Sequence, residues 1–169
     1  MAKQPNTPDF LAIGEQLKNN TRRYAKVYCL NWFTDSFQNQ GFTDVSFEPW
    51  QKRKDPDRRQ GGAILVDTAF LRNSLQVLTE NETDIEFGTH TAYAGVHNNG
   101  ERLRTIQNVR GFHRTRKGKR EQVQPHFRKQ DTQFPKRQFI GHSTQMMNNL
   151  NNWIIEQIQT EFKNHLNSL

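Results

Sequence analysis

The sequence predicts an α+β protein in which a long N-terminal helix and a C-terminal helix pack against a small antiparallel sheet, with a basic loop or hairpin projecting from the body. Three observations lead to this. Apolar residues recur at spacings of three and four near each end of the chain. Two segments between Leu75 and Phe87 alternate apolar and polar positions. The interval from Glu101 to Gln133 has almost no aliphatic residues and no sustained period.

The first helical region is expected over residues 8–40. Thr7 is placed to cap free amides, and Pro8 suits a first turn in which no amide is missed. Phe10, Ile13 and Leu17 share a face, the polar interval Lys18–Arg23 interrupts it, and Tyr24, Ala25, Tyr28, Cys29, Trp32, Phe33 and Phe37 resume it. This describes one long helix, or two with a break near Asn20, ended by Gly41. The aromatics read as a buried helix face. Residues 50–62 carry alternating charge and Pro56, which excludes regular helix and predicts a mobile, solvated loop.

Residues 64–100 form the expected hairpin core. Ile64–Val66 reads as a strand-like run, and Asp67-Thr68 is placed to cap a short turn. Leu75 and Val77 alternate with polar neighbours, as do Ile85 and Phe87, and Glu80-Asn81-Glu82-Thr83 lies between them as the hairpin loop. Thr91–His97 reads as a short helix stopped by Asn99-Gly100. Residues 101–133 are the basic arm. In residues 134–169, Phe139-Ile140 is expected to return as a short strand. Ser143-Thr144 then caps a helix with the stripe Met147, Leu150, Ile154, Ile158, Phe162 and Leu166.

Composition narrows the function. A chain of 169 residues fits one domain, 1–169, around one core. Only 33% of residues are apolar and twelve are Phe, so the core is small and aromatic. The single cysteine, Cys29, excludes an intramolecular disulfide and a multi-thiolate metal site, in keeping with assembly in a reducing cytosol. Apolar runs are too short to cross a bilayer and the first residues lack the apolar stretch of a secretory signal, so no membrane association is expected. The net charge of +7 is uneven: Glu101–Arg137 holds twelve Arg and Lys against three carboxylates, and the remainder is slightly acidic. One basic arm seeking an acidic or phosphate-bearing partner fits that asymmetry.

Catalytic patterns are weak. None of the six histidines stands in a helix-spaced pair around a carboxylate, and Gly61-Gly62 is not followed by Lys-Ser or Lys-Thr. His97, beside Tyr93, is the most site-like residue, but a structural imidazole bonded to a nearby loop explains it better than a ligand or base. Asp67 and Thr68 lack a turn that would present a nucleophile. We expect no enzyme activity, no cofactor and no metal. Phe112 and Phe127 lie among the arginines, so base stacking with phosphate neutralisation is one use of the arm. Docking on an acidic neighbouring subunit through Arg–carboxylate pairs is the preferred one.

Ser36-Phe37 with Gly41-Phe42, Trp50 with Arg53-Lys54, Ile64–Thr68 with Leu71–Ser74, Ile85–Gly88, Tyr93-Ala94 with His97 and Gly100, and Pro135, Arg137 and Phe139–Gly141 stand in an informative order. In that order the chain resembles the phage virion-morphogenesis and tail-completion family, which includes the G-type morphogenesis protein of Mu-like phages and tail-completion proteins of long-tailed phages. Ala69 stands where the family usually has glycine, which argues against a left-handed turn there. Lys136 and Gln138 replace a small residue and a second proline, and the arm is more basic than the family would suggest.

The resemblance implies a structural protein that completes the tail or joins it to the head, located at the head-tail junction of the virion and in the host cytoplasm during assembly. It implies a homo-oligomeric ring, expected to be hexameric. Its partners would be other neck, head-connector, tail-terminator or tail-tube proteins, with contact to packaged DNA as a further expectation. Trp50, Arg53, Arg72, Arg114, Arg116, Lys117, Lys119, Arg120 and Arg137 are the expected contact residues. Asp67, Tyr93, His97, Gly100, Pro135 and Phe139 are the expected fold-holding residues. The alternative function is a nucleic-acid-binding module using residues 102–137.

Overall fold

The computed structural model describes residues 9–54 and 59–166. Thr7, Pro8 and Pro56 lie outside them, as does the side chain of Leu166. Helix α1 (Phe10–Asn39) is continuous through Asn20, so the expected break does not occur. Its cap is Asp9, whose Oδ1 accepts the amides of Leu11 at 3.1 Å and Ala12 at 3.0 Å. The helix ends at Gln40, which is left-handed with φ 58° and donates its amide to the Ser36 carbonyl. Gly41 therefore does not stop the helix. It opens strand β1 (Gly41–Thr43), where a Cβ would lie 2.5 Å from the Glu48 carbonyl oxygen and from the Phe47 ring. Strand β2 (Phe47–Pro49) pairs antiparallel with β1, a hairpin whose three-residue strands are too short to show alternation in the sequence.

Ile64–Val66 is not a strand. Leu65 has φ 58°, which breaks the extended run, and the three side chains pack as irregular chain against the core. Ala69 is also left-handed, φ 58° and ψ 9°, directly before helix α2 (Phe70–Asn73). The left-handed turn that alanine was expected to disfavour is thus present. Asp67 and Thr68 do not cap that helix, which has no side-chain cap.

Strands β3 (Gln76–Glu80) and β4 (Ile85–Gly88) form the expected antiparallel hairpin, with a bulge between Val77 and Thr79. Asn81 Oδ1 accepts the amides of Thr83 and Asp84 and closes the loop. Arg22 and Lys26 of α1 clamp the hairpin by pairing with Glu80. Helix α3 (Ala94–Asn99) stops at Gly100, left-handed at φ 71°.

From there the chain leaves the body as β5 (Arg102–Val109), β6 (Phe112–Arg116), β7 (Lys119–Val123) and β8 (His126–Gln133). β5 pairs with β8 and β6 with β7, so the basic arm is a two-stranded ribbon. Lys117 and Gly118 turn it with φ of 50° and 76°, the pair of positive angles of a type I′ turn. Gly111 sits where the two ribbon halves join, with Pro125 3.2 Å from the place of its missing Cβ.

Phe139-Ile140 does not return as a strand. Both amides are taken by one side chain, Asn98 Oδ1, at 3.0 and 3.1 Å, so no partner strand is required. Helix α4 (Thr144–Leu166) is capped by Ser143, whose Oγ accepts the Met146 amide, and by Asp44, which accepts the Thr144 amide at 2.7 Å. Its buried face includes Met146 and Leu150. Met147, expected inward, is at the surface. α4 runs antiparallel to α1, since Tyr24 stacks on Trp153 at 3.8 Å and Phe10 on Phe162 at 6.1 Å.

The core has two adjoining clusters: Phe37, Trp50, Leu71, Ala94 and Phe139 in one, and Cys29, Phe33, Phe42 and Met146 in the other, with Leu75 and Ile140 touching both. Truncating one such buried aromatic to alanine costs about 3–5 kcal/mol.

Candidate assembly interface: the basic arm and its root

Strand pairing decides which arm side chains share a face, because cross-strand partners point the same way. In the distal half, Arg114 pairs with Glu121 and Arg116 with Lys119, so Arg114, Arg116 and Lys119 stand together on one face. Arg120 pairs with Thr115 and faces the other way, while Lys117 sits in the turn. Arg114 is held by Glu121 at 3.2 Å, a surface pair of modest worth. In the proximal half, Arg102 and Arg104 share Asp131, at 2.6 and 3.4 Å. Ile106 and Phe127 lie diagonally on that same face and are 69% and 76% exposed. The sequence reading named Phe127 but missed Ile106, whose signal was an isolated aliphatic residue in a polar strand.

The root of the arm is built by close approaches. A Cβ at Gly100 would lie 2.6 Å from the Lys136 amide nitrogen, so only glycine lets the returning chain pass there. Gln133 Nε2 donates to the Gly100 carbonyl at 2.8 Å and the Phe134 amide to the Glu101 carbonyl at 3.1 Å, which ties the two chains together. Pro135 is half-buried beside them. Phe139 anchors the segment at 0% exposure.

The structure separates the other expected contact residues from the arm. Trp50 is 6% exposed, packs edge-on to Phe37 and donates Nε1 to the Gln138 carbonyl at 2.7 Å; its indole belongs to the core. Arg137 is buried too, with its guanidinium on the Gln51 carbonyl at 3.1 and 3.2 Å and its amide on the His97 carbonyl. Burial, and then the nearby Arg53, lower the Arg137 pKa. Arg53 donates to the Gly62 and Ala63 carbonyls at 2.8 Å each and organises its own loop. Arg72 sits on α2 and donates to Asn73 Oδ1.

The expected fold-holding residues divide similarly. His97 does not bond a loop through Nδ1, which is buried without a partner. Its ring packs between Tyr93 at 6.0 Å and Phe134 at 5.1 Å. Burial, then the charge of Arg137, hold its pKa below the ordinary 6.5. Tyr93 is half-exposed, and Asp67 is a surface carboxylate paired with Arg59. Asn98 and Asp44, missed by the sequence reading, hold more of the fold. Asn98 looked like a turn residue and Asp44 lay in an unassigned segment. The Asp44 carboxyl is held below its usual range, chiefly by the Thr144 amide. Burial pushes the Cys29 thiol up, the direction opposite to that of an activated nucleophile. Among the described residues, no three His, Cys, Asp or Glu side chains converge to hold a metal ion.

The profile of the phage virion morphogenesis family matches residues 35–159, well over half of the chain. The chain belongs to the phage virion morphogenesis family. No curated protein and no solved structure matches it at a significant level. The matched region runs from the end of α1 through both hairpins, the arm and its root, and most of α4. A virion morphogenesis protein has a structural or assembly role in making the phage particle. No helix among the described residues is long and apolar enough to cross a membrane.

Proposed function

We propose that this virion morphogenesis protein completes the phage tail or joins it to the head, as one subunit of a ring of six at the head-tail junction. It works by shape and charge and turns over no substrate. The observation that carries this reading is the arm, a cationic ribbon about thirty residues long whose side chains are almost all exposed and add nothing to the core. A two-stranded ribbon on its own is marginal in water, so a partner surface is what would hold it in one conformation. Ring formation asks one patch to meet a different patch on its neighbour, and a projecting arm supplies the first.

Replacing Arg114, Arg116 and Lys119 together by Glu tests this, because all three are exposed and their loss should not touch the fold. The variant is expected to melt within a few degrees of the native protein and to fail in assembly. Normal infectious particles from it would show that the arm is only a solvated ribbon.

A second reading is favoured by Phe127 and Phe112, exposed aromatics among cations, which suit stacking on single-stranded nucleic acid. Tight nucleic-acid binding by the free chain, weakening steeply with salt in a filter titration, would support that module over the connector.

A further inference from the structure

An exposed apolar patch outside the arm lies at the Phe10–Phe162 end of the α1–α4 pair. Phe10 and Phe162 stack across the two helices, yet both stay about half exposed. Ile155 and Ile158 continue the Phe162 stripe at spacings of three and four on α4, also half exposed, and Leu11 beside Phe10 is 85% exposed. An apolar stripe left uncovered by the other described residues marks a surface suited to a partner. The helix stretches that bear it, residues 10–18 and 155–164, carry Glu15, Glu156 and Glu161 against Lys18 and Lys163, a balance opposite in sign to that of the arm.

The arm face described above has the matching chemistry. Ile106 and Phe127 form an apolar pair with Lys129, Ile106's cross-strand partner, and Arg104 close by. Chain geometry favours the arm of a neighbouring copy. The arm root adjoins the Phe37–Phe139 contact, 5.1 Å between rings, at the C-terminal end of α1. Phe10 lies twenty-seven residues away, about 40 Å along the helix axis. Phe127 stands seven residues from the root at Phe134, a reach of about 24 Å in extended chain. The arm's apolar pair falls short of the Phe10 end of the patch on its own molecule.

The geometry points to a docking of the arm of one copy, through Ile106 and Phe127, on the open α1–α4 end of the next copy. The inference rests on the ring-forming connector reading and supplies what that reading lacks, the receptor surface. Such a contact joins two different patches, the heterologous kind that closes into a ring. The apolar pair would supply the anchor, and the arm cations facing the helix carboxylates would set orientation and salt sensitivity.

Cys29 is buried, so two exposed cysteines can report the contact without interference. Full-length chains carrying F127C and, on a second version of different size, I158C are made together in phage-producing cells, and assembled particles are isolated and oxidised. We expect a disulfide joining one chain of each version, absent when either version is used alone. Particles that contain both versions without the mixed link, or with links between two F127C chains, overturn this docking and leave the connector reading standing. Particles that contain neither version overturn both. Charge supplies the second arm of the test: K129E is expected to lower particle yield at least tenfold and E156K in the same chain to restore it. Failure of E156K to restore any yield counts against the pairing of these two surfaces.

Discussion

Ala69 shows how a single residue can keep a backbone against its own preference. Left-handed geometry costs an ordinary L-residue about 1–2 kcal/mol, and glycine would remove that cost while giving up about 0.5–1 kcal/mol of unfolded-chain freedom. Ala69→Gly is therefore expected to stabilise the protein by about 0.5–1 kcal/mol in urea unfolding, and Ala69→Val to destabilise it by more than about 1 kcal/mol. Equal stabilities for the three would mean that the turn is not left-handed in solution. His97 gives a pH-dependent counterpart. Its folded pKa lies below 6.5, so below that value the unfolded chain binds the proton more readily than the folded one. Stability from this group is complete above about pH 6.5 and falls as acid carries the pH down toward the folded pKa. His97→Phe should flatten that part of the stability curve, and a curve that stays parallel to the native one would contradict the buried, unpartnered ring. The carboxylates of Asp44 and Glu80, held low by the Thr144 amide and by Lys26, act at lower pH, below their ordinary 3.8 and 4.5.

Elements with a strong period were legible from sequence, and those set by tertiary partners were not. The α1 stripe from Tyr24 to Phe37, the alternation of the β3–β4 hairpin and the Gly100 stop each follow from local chemistry, and each is present. Phe139-Ile140 looked like a strand because its residues prefer one, but the Asn98 side chain had already satisfied the amides a strand would have paired. Trp50 and Arg137 looked like contact residues because cations and aromatics often are; both are consumed inside, by Gln138 and Gln51 carbonyls eighty or more residues away. No local window reveals such partners. The arm was legible as a projection, and its ribbon pairing adds which cations stand together. Since neither face of the ribbon is covered, trypsin should cut the free chain between Arg102 and Arg120 well before the helices and spare the same bonds after assembly. Equal cleavage in both states would mean that the arm stays solvated in the particle.

For the whole molecule, the division of labour is a small aromatic body and a cationic ribbon with opposite charge balance. The body is held by long-range ties, Arg22 and Lys26 on Glu80 and Asp44 on α4, and the arm starts where Gln133 donates to Gly100 and Asn98 holds Phe139-Ile140. The arm leaves both its faces exposed on the isolated chain, which suits a subunit that completes its contacts with neighbours. The measurement that bears most directly on this account is electron microscopy of particles from a phage strain lacking the protein. We expect DNA-filled heads separate from tails, or tails with unfinished ends, and complete infectious virions from that strain would contradict the account.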